Sequence, residues 1–535
     1  MWTISEHSEC IMRCTQVTGG GWYRCIIWIC FNFCTDNQTQ ELLESRRSGA
    51  TVLLIIVSSD KTQLTIFRGK QAYTVYMTIG NIPKEIHWKL LCCAQMLIGY
   101  IPITKFRGIP KKATCLHAQP NLFHACIKIL LGSLVLYTNV GLPMMSGDGI
   151  WHRCHPILAN FIGDYPEQTL VLFAFYGECP KCEVPHDQLG DHDEFLPQNY
   201  GKVLRTYALA DGDVQIFHAA CKVNGIKLVF HPFWESMPLA NIYMSITPDV
   251  LHQLLQGVMK HLIRWLSKSL MFGQQAINTR CHLIPPNHQV VLFPRGITGL
   301  SCLTGKDHKN ICRLLLGLIV DLHFANGSSP AHILKAVHGL LDFLYLAQLP
   351  SQTTDMILCL KQSLAMFHEN KEVFLDHGVR DHFNVPKIHS LLHYSSSILL
   401  FGTTDNYNTE QTERLHIDFT KDAYHVTNHK DKYNQMTTWL EQCEKLQWHA
   451  MFIDWHQQEH VPTRVLPWGP ISGPPQPITC YLKMTQNLTL YSVPFEDIGC
   501  EYGATKFQNL LGNFLASLTE PSVSGQALCN HGVNT

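Results

Sequence analysis

The first regular pattern along the chain is an apolar run, Thr51 to Val57, that gives way to Ser58-Ser59-Asp60-Lys61. A short run of β-branched and leucine side chains without a polar face predicts a strand buried on both sides of a sheet, with Asp60 presented where it ends. Asp and Ser are also common turn residues, and taken alone Asp60 reads more readily as the start of a turn. Ala72 to Thr78 and Met96 to Pro102 repeat the strand composition. Asn121 to Leu131 spaces its apolar residues at helical intervals, and Pro156 to Gly163 predicts a fourth strand that closes on Asp164.

From residue 245 the period changes. Leucine-rich helical patterns run over Val250–Leu270, Ile311–Leu322, Ala331–Leu349 and Thr354–Phe367, and a further helical segment carries Glu413. The pattern divides the chain into an irregular Cys- and Trp-rich start (1–45), read as eroded or misjoined with a small metal module as the alternative, a first part of a mixed core (46–176), and a Cys-x-x-Cys segment (177–244). A helical insertion (245–400), a helical segment completing the core (401–460) and a Pro-rich linker with a tail (461–535) follow, the tail holding one expected helix at 504–518.

Composition narrows the function classes. A hydrophobic fraction of 46% is that of a folded protein. A formal net charge of -1 and a pI near 7.2 give no bulk basic field, so any nucleic-acid contact must come from local patches such as Lys421, Lys430 and Lys432, with His425 and His429 among them. The 21 cysteines are scattered and no secretory pattern opens the chain, so reduced thiols in an intracellular, soluble protein are expected. The apolar stretch Leu314 to Val320 is too short to cross a bilayer.

Two sets of residues carry chemistry. Cys179-Pro-Lys-Cys182 has the spacing of a zinc knuckle and needs two further ligands, for which His186, His192, His218, Cys221, Asp249 and His252 are candidates. His389 and His393 share a helical spacing but are read as a polar helix face. Acids closing two strands suit a different ion: Mg²⁺ or Mn²⁺ in a two-metal site takes carboxylate oxygens, and two such ions serve phosphodiester chemistry. Asp60, Asp164 and Glu413 form one such triad, with Asp148 competing for the second place and Glu410 for the third.

Taken in order, Ser59-Asp60-Lys61-Thr62-Gln63-Leu64, Ile79-Gly80-Asn81, Gly163-Asp164-Tyr165-Pro166-Glu167-Gln168, Cys179-Pro-Lys-Cys182, His231-Pro-Phe-Trp-Glu235, Thr247-Pro248-Asp249-Val250-Leu251-His252-Gln253 and Thr412-Glu413-Arg414-Leu415-His416-Ile417-Asp418 resemble the Plavaka-type transposases of fungal genomes, relatives of the CACTA (En/Spm) elements. The resemblance covers residues 46 to 450. It implies an α/β (α+β) ribonuclease H-like catalytic core interrupted by a large, mainly α-helical insertion. The first and fourth strands would lie side by side, bringing Asp60 and Asp164 to one sheet edge. Asp60, Asp164 and Glu413 would then be the catalytic, metal-holding acids of a DDE enzyme, with Asp249 and His252 as an Asp-x-x-His signature beside Cys179 and Cys182 in a zinc site. The implied partners are DNA (transposon terminal repeats and target DNA) and further copies of the chain, in the nucleus. A catalytically silent DNA-binding or protein-interaction module on the same fold is the second reading.

Overall fold

Burial on both faces is what the apolar run from Thr51 requires, and β1 (Ala50–Gln63) meets it as the central strand of a five-stranded sheet. The computed structural model describes residues 50–457 except 66–68, 88–93, 105, 107, 146–150, 238, 286–290 and 325–328. The expectations for 1–45, for Asp148 and for the linker and tail beyond 460 therefore lie outside the described residues.

The sheet order is β3-β2-β1-β5-β4, with β2 (Gln71–Ile79), β3 (Gln95–Tyr100), β4 (Leu142–Met145) and β5 (Trp151–Ile162). β1 runs antiparallel to β2 and parallel to β5. The parallel register pairs Ser58 with Ile162, so Asp60 and Asp164 each stand two residues beyond the same rung. β1 does not stop at Asp60: its ladder with β2 continues to Gln63 opposite Gln71 after β5 has ended. Asp60 is thus held by a strand on one side only. The Ile79-Gly80-Asn81 turn closes the opposite end of that ladder. The Asn81 side chain accepts from Leu54 N at 2.9 Å and donates to Val52 O at 3.0 Å, satisfying β1 groups that β2 does not reach.

The pleat sorts β1 into two faces. Leu53, Ile55 and Val57 join a core with Phe123, Cys126, Ile127, Leu130 and Leu131 of α1 (Lys112–Val140). This helix extends well past both ends of the expected Asn121–Leu131. By length and composition alone it could cross a membrane; part of its apolar surface packs against the sheet, while Leu116, Ile129, Leu136 and Val140 stay exposed. Gly99 permits the approach, since a Cβ there would stand 2.9 Å from Leu130 Cδ2. The other face is covered from the C-terminal side, where Leu64, Ala72 and Tyr100 pack with Ala423, Tyr424 and Met436 and the Tyr100 hydroxyl donates to Phe419 O at 2.7 Å.

After β5 come α2 (Tyr165–Val171), a loop that carries the two cysteines, and two short helices, Tyr200–Tyr207 and Val214–Val223, which pack into the core of the sheet. The helical region then opens with a π-helical stretch, Val250–Met259, that continues into α3 (Lys260–Leu266). α4 (Gly305–Ile319), α5 (Ala331–Ala347) and α6 (Thr354–Asn370) occupy the leucine-rich patterns and share a second hydrophobic core. α7 (Thr409–His416) passes into a second π-helical stretch, Ile417–Asp422, and α8 (Lys432–Gln457) ends the described chain.

Candidate functional site

Because alternate residues of a strand face opposite ways, Ser59 and Asp60 serve different sides of the sheet. Asp60 points, with Thr74 and Tyr76, to the face covered by α7, and the helix brings it two side chains. Glu413 and His416 stand three residues apart and so share one helical face. Ligand atoms of Asp60, Glu413 and His416 all lie within 4.8 Å of one another. His416 is fully buried: Nε2 is 3.3 Å from Asp60 Oδ2, and Nδ1 is 3.1 Å from the Tyr76 hydroxyl and 3.4 Å from Thr74 Oγ1. Glu410, the competing acid one turn earlier, is turned away and held by Lys309 at 2.8 Å.

Asp164 stands outside that grouping. It caps α2, its Oδ1 accepting from Glu167 N at 3.0 Å. Burial raises the pKa of its carboxyl. The Glu167 amide and His252 act against the rise, and the nearby Asp60 and Asp249 add to it. Its partner on the far face of the sheet is Glu167, which is fully enclosed. Ser59 Oγ donates to its Oε2 at 2.6 Å, and the Tyr73 hydroxyl approaches Oε1 and Oε2 at 2.8 and 2.6 Å. Burial pushes this carboxyl up to about 7. Gly163 makes the packing possible, since a Cβ there would stand 2.8 Å from Glu167 Cβ.

Asp249 and His252 belong to the same neighbourhood rather than to the cysteines. Asp249, 1% exposed, caps the π-helical stretch and accepts from Leu251 N, His252 N, Thr409 N and Thr409 Oγ1. One carboxylate therefore fixes the starts of two helices. His252 Nδ1 lies 3.0 Å from Asp249 Oδ2 and Nε2 lies 3.5 Å from Glu413 Oε1. Burial opposes protonation of this ring, but hydrogen bonds to Asp249 and Glu413 overcome it and push its pKa up to about 10. The same contact with His252, against burial, holds Glu413 below the usual carboxylate range. Gln253 and Gln168 tie this helix to the sheet end: Asp249 N donates to Gln253 Oε1 at 3.2 Å, Gln253 Nε2 to Gln168 Oε1 at 2.9 Å, and Gln168 Nε2 to Gly163 O at 2.9 Å. Lys387 completes the rim by donating to His252 O at 2.9 Å, its stem lying where a Cβ on Gly257 would come within 2.6 Å.

The chemistry of this donor set fits a divalent cation. Carboxylates crowded into a half-buried site repel one another, and the protonated His252 ring partly balances them; an ion among Asp60, Glu413 and His416 would do so more fully. Of the lysines following Glu413, Lys432 bonds to Gln71 O at 3.1 Å and lies over the Tyr433 ring.

The cysteines find other partners. The expectation that Asp249 and His252 complete a site with Cys179 and Cys182 is corrected: the ligand-sized group is Cys179, Cys182, His389 and His393. Asp249 is already saturated by backbone and hydroxyl donors, whereas the two histidines sit one turn apart above the knuckle. Cys179 Sγ is 3.2 Å from His393 Nε2, Cys182 Sγ is 3.0 Å from His389 Nε2, and the two sulfurs are 3.5 Å apart. Tetrahedral zinc with bonds of about 2.0–2.3 Å spaces its ligands by roughly 3.3–3.8 Å, so this group needs little adjustment to take one. Burial opposes ionisation of Cys179, yet hydrogen bonding to Cys182 and to His393 holds its thiol well below the ordinary value. Residues 389 and 393 do form a helical face; what the spacing could not reveal is that the face is buried against the knuckle.

The sequence model of the family described as Plavaka transposase matches residues 29–266 of the chain. The match includes Asp60, Asp164, Cys179, Cys182, Asp249 and His252 and ends before His389, His393, Glu413 and His416. No curated protein matches the chain.

Proposed function

We propose that the chain is a DDE-type DNA transposase, or a derivative of one, that cuts transposon ends and joins their 3′-hydroxyls to target DNA. The similarity to Plavaka transposase supports the family. The observation that carries the site is the meeting of Asp60 from β1 with Glu413 from α7 in one ligand-sized space, across most of the described chain. A central strand antiparallel to one neighbour and parallel to the other, with Asp60 and Asp164 at matching heights, supports the ribonuclease H-like reading of the core.

In this reading Asp60, Glu413 and Asp164 would be the acids that hold Mg²⁺ or Mn²⁺. Bound ions would supply an activated water or 3′-hydroxyl and stabilise the leaving oxygen. The chain's own residues do the positioning. β1 and α7 fix the two acids, Asp249 orients His252 against Glu413, and the Gln253–Gln168 pair locks the helical region to the sheet end. Cys179, Cys182, His389 and His393 would hold a zinc ion, tying the helical region to the core. Work on paired DNA ends implies a homo-oligomer acting in the nucleus.

The test is metal-dependent cleavage of labelled DNA carrying the element's own terminal repeats. Wild type is expected to cut at the ends, and Asp60→Ala and Glu413→Ala to be silent while still folded. A folded wild type that never cuts would leave a binding module on the same fold.

A further inference from the structure

Glu413-Arg414-Leu415-His416 places a carboxylate and an imidazole three residues apart on one helical face, a spacing that inward-facing helices use to hold metal ions. His416 is the more deeply enclosed of the two, and its Nε2 is aimed at Asp60 Oδ2 at 3.3 Å. Neighbouring ligands of an octahedral ion with bonds near 2.1 Å stand about 3 Å apart, so Nε2 and Oδ2 already have the separation of two adjacent ligands. The far side of the ring is built to suit either tautomer. Thr74 Oγ1 donates to Asp60 O at 3.3 Å, which leaves its oxygen able to accept from Nδ1–H. Tyr76 can donate to Nδ1, or turn its proton to Thr420 Oγ1 at 3.4 Å and accept from Nδ1–H instead. The first arrangement gives Nε2–H to Asp60; the second frees the Nε2 lone pair. Hydroxyls that accept the distal N–H are the outer support a metal-bound histidine uses.

We propose that His416 Nε2 is a direct ligand, beside Asp60 and Glu413, of the ion held there, so that this position takes Mn²⁺ in preference to Mg²⁺. The inference rests on the reading of Asp60 and Glu413 as metal ligands and adds a nitrogen donor that an all-carboxylate site lacks. Imidazole suits first-row transition ions, whereas Mg²⁺ favours carboxylate and water oxygens. The π-helical stretch that begins at Ile417 keeps the following turn, with Thr420, against Tyr76 and so holds the ring from behind.

The experiment uses the full chain, purified with zinc and without DNA, and Mn²⁺ as the probe. Pulsed electron paramagnetic resonance of bound Mn²⁺ is expected to show the modulation of a directly coordinated nitrogen in wild type and in His252→Gln. In His416→Gln the modulation should vanish and Mn²⁺ affinity should fall at least about tenfold, narrowing the preference over Mg²⁺. Should His416→Gln not fold, wild type grown with ¹⁵N-histidine must show the isotope change in its modulation, and His252→Gln must retain it. Mn²⁺ bound to wild type without nitrogen modulation would overturn the ligand while leaving the carboxylate site standing. Modulation lost in His252→Gln and kept in His416→Gln would overturn it too. A folded wild type that binds no Mn²⁺ would overturn both the ligand and the metal reading beneath it.

Discussion

Ser59 and Asp60 are neighbours in sequence, yet β1 sends one beneath the sheet to Glu167 and the other above it to Glu413 and His416. Glu167 is the residue whose titration should be felt in stability. Burial raises its carboxyl from 4.5 to about 7, so between those pH values the folded state holds a proton that the unfolded state has released. Its contribution is therefore present at low pH and is lost as pH rises from about 4.5 to about 7, by something on the order of 3 kcal/mol. Glu167→Gln keeps a polar partner for Ser59 and Tyr73 and removes the titration. Melting curves of wild type and variant should converge near pH 4.5 and separate by pH 8, the variant being the more stable; curves that stay parallel across this range would show that Glu167 does not titrate there. At this scale the acids were legible because carboxylates at strand ends are rare enough to notice. The choice of Glu413 over Glu410 rests in the sequence on the Glu-Arg pair of the family resemblance; in the structure Lys309, from a distant helix, holds Glu410. His416 carries a signal, the Glu-x-x-His spacing, which points to a metal only where a carboxylate of another element faces the same side, as Asp60 does.

Asp249 shows how elements are set against each other. It satisfies amides at the start of the π-helical stretch and at Thr409, so the helix carrying His252 and the helix carrying Glu413 are indexed to a single carboxylate. Asp249→Ala leaves those buried donors unmet, and a cost of about 2–4 kcal/mol is expected from urea denaturation. The imidazole pKa of His252, followed by NMR, should fall from near 10 toward the ordinary range. A loss under about 0.5 kcal/mol with an unmoved His252 would show that the two helices are placed by apolar packing alone. The strands and leucine-rich helices were readable from periodicity. Their ends were not, because β1 is prolonged by its ladder with β2, and α1 by packing against the sheet. β4 escaped notice because it is four residues long, contains Pro143 and lies at the sheet edge, where a missing amide is tolerated.

Across the whole molecule, the two clusters divide the labour. The carboxylate cluster joins β1 to α7, and the Cys179–Cys182–His389–His393 group joins the knuckle after β5 to the far end of the helical region. Zinc in the second group would close a long stretch of chain, so its removal should act on the fold as a whole. One zinc per chain is expected by elemental analysis. Stripping it with a chelator, or replacing Cys182→Ser, should lower the melting temperature by at least about 5 °C, a drop that added zinc reverses only in wild type. A chain that is zinc-free as purified and melts at the same temperature with chelator would contradict the staple. This division is half legible: the Cys-x-x-Cys spacing stands out, whereas the spacing of His389 and His393 shows a polar helical stripe without showing what it packs against.

The most direct measurement of the central claim is anomalous diffraction from crystals of the full chain soaked in Mn²⁺. The account predicts one anomalous peak bounded by Asp60, Glu413 and His416, and a second about 3.5–4 Å away on the Asp164 side. Ordered, ion-free carboxylates at that position, with His252 still bridging Asp249 and Glu413, would contradict it.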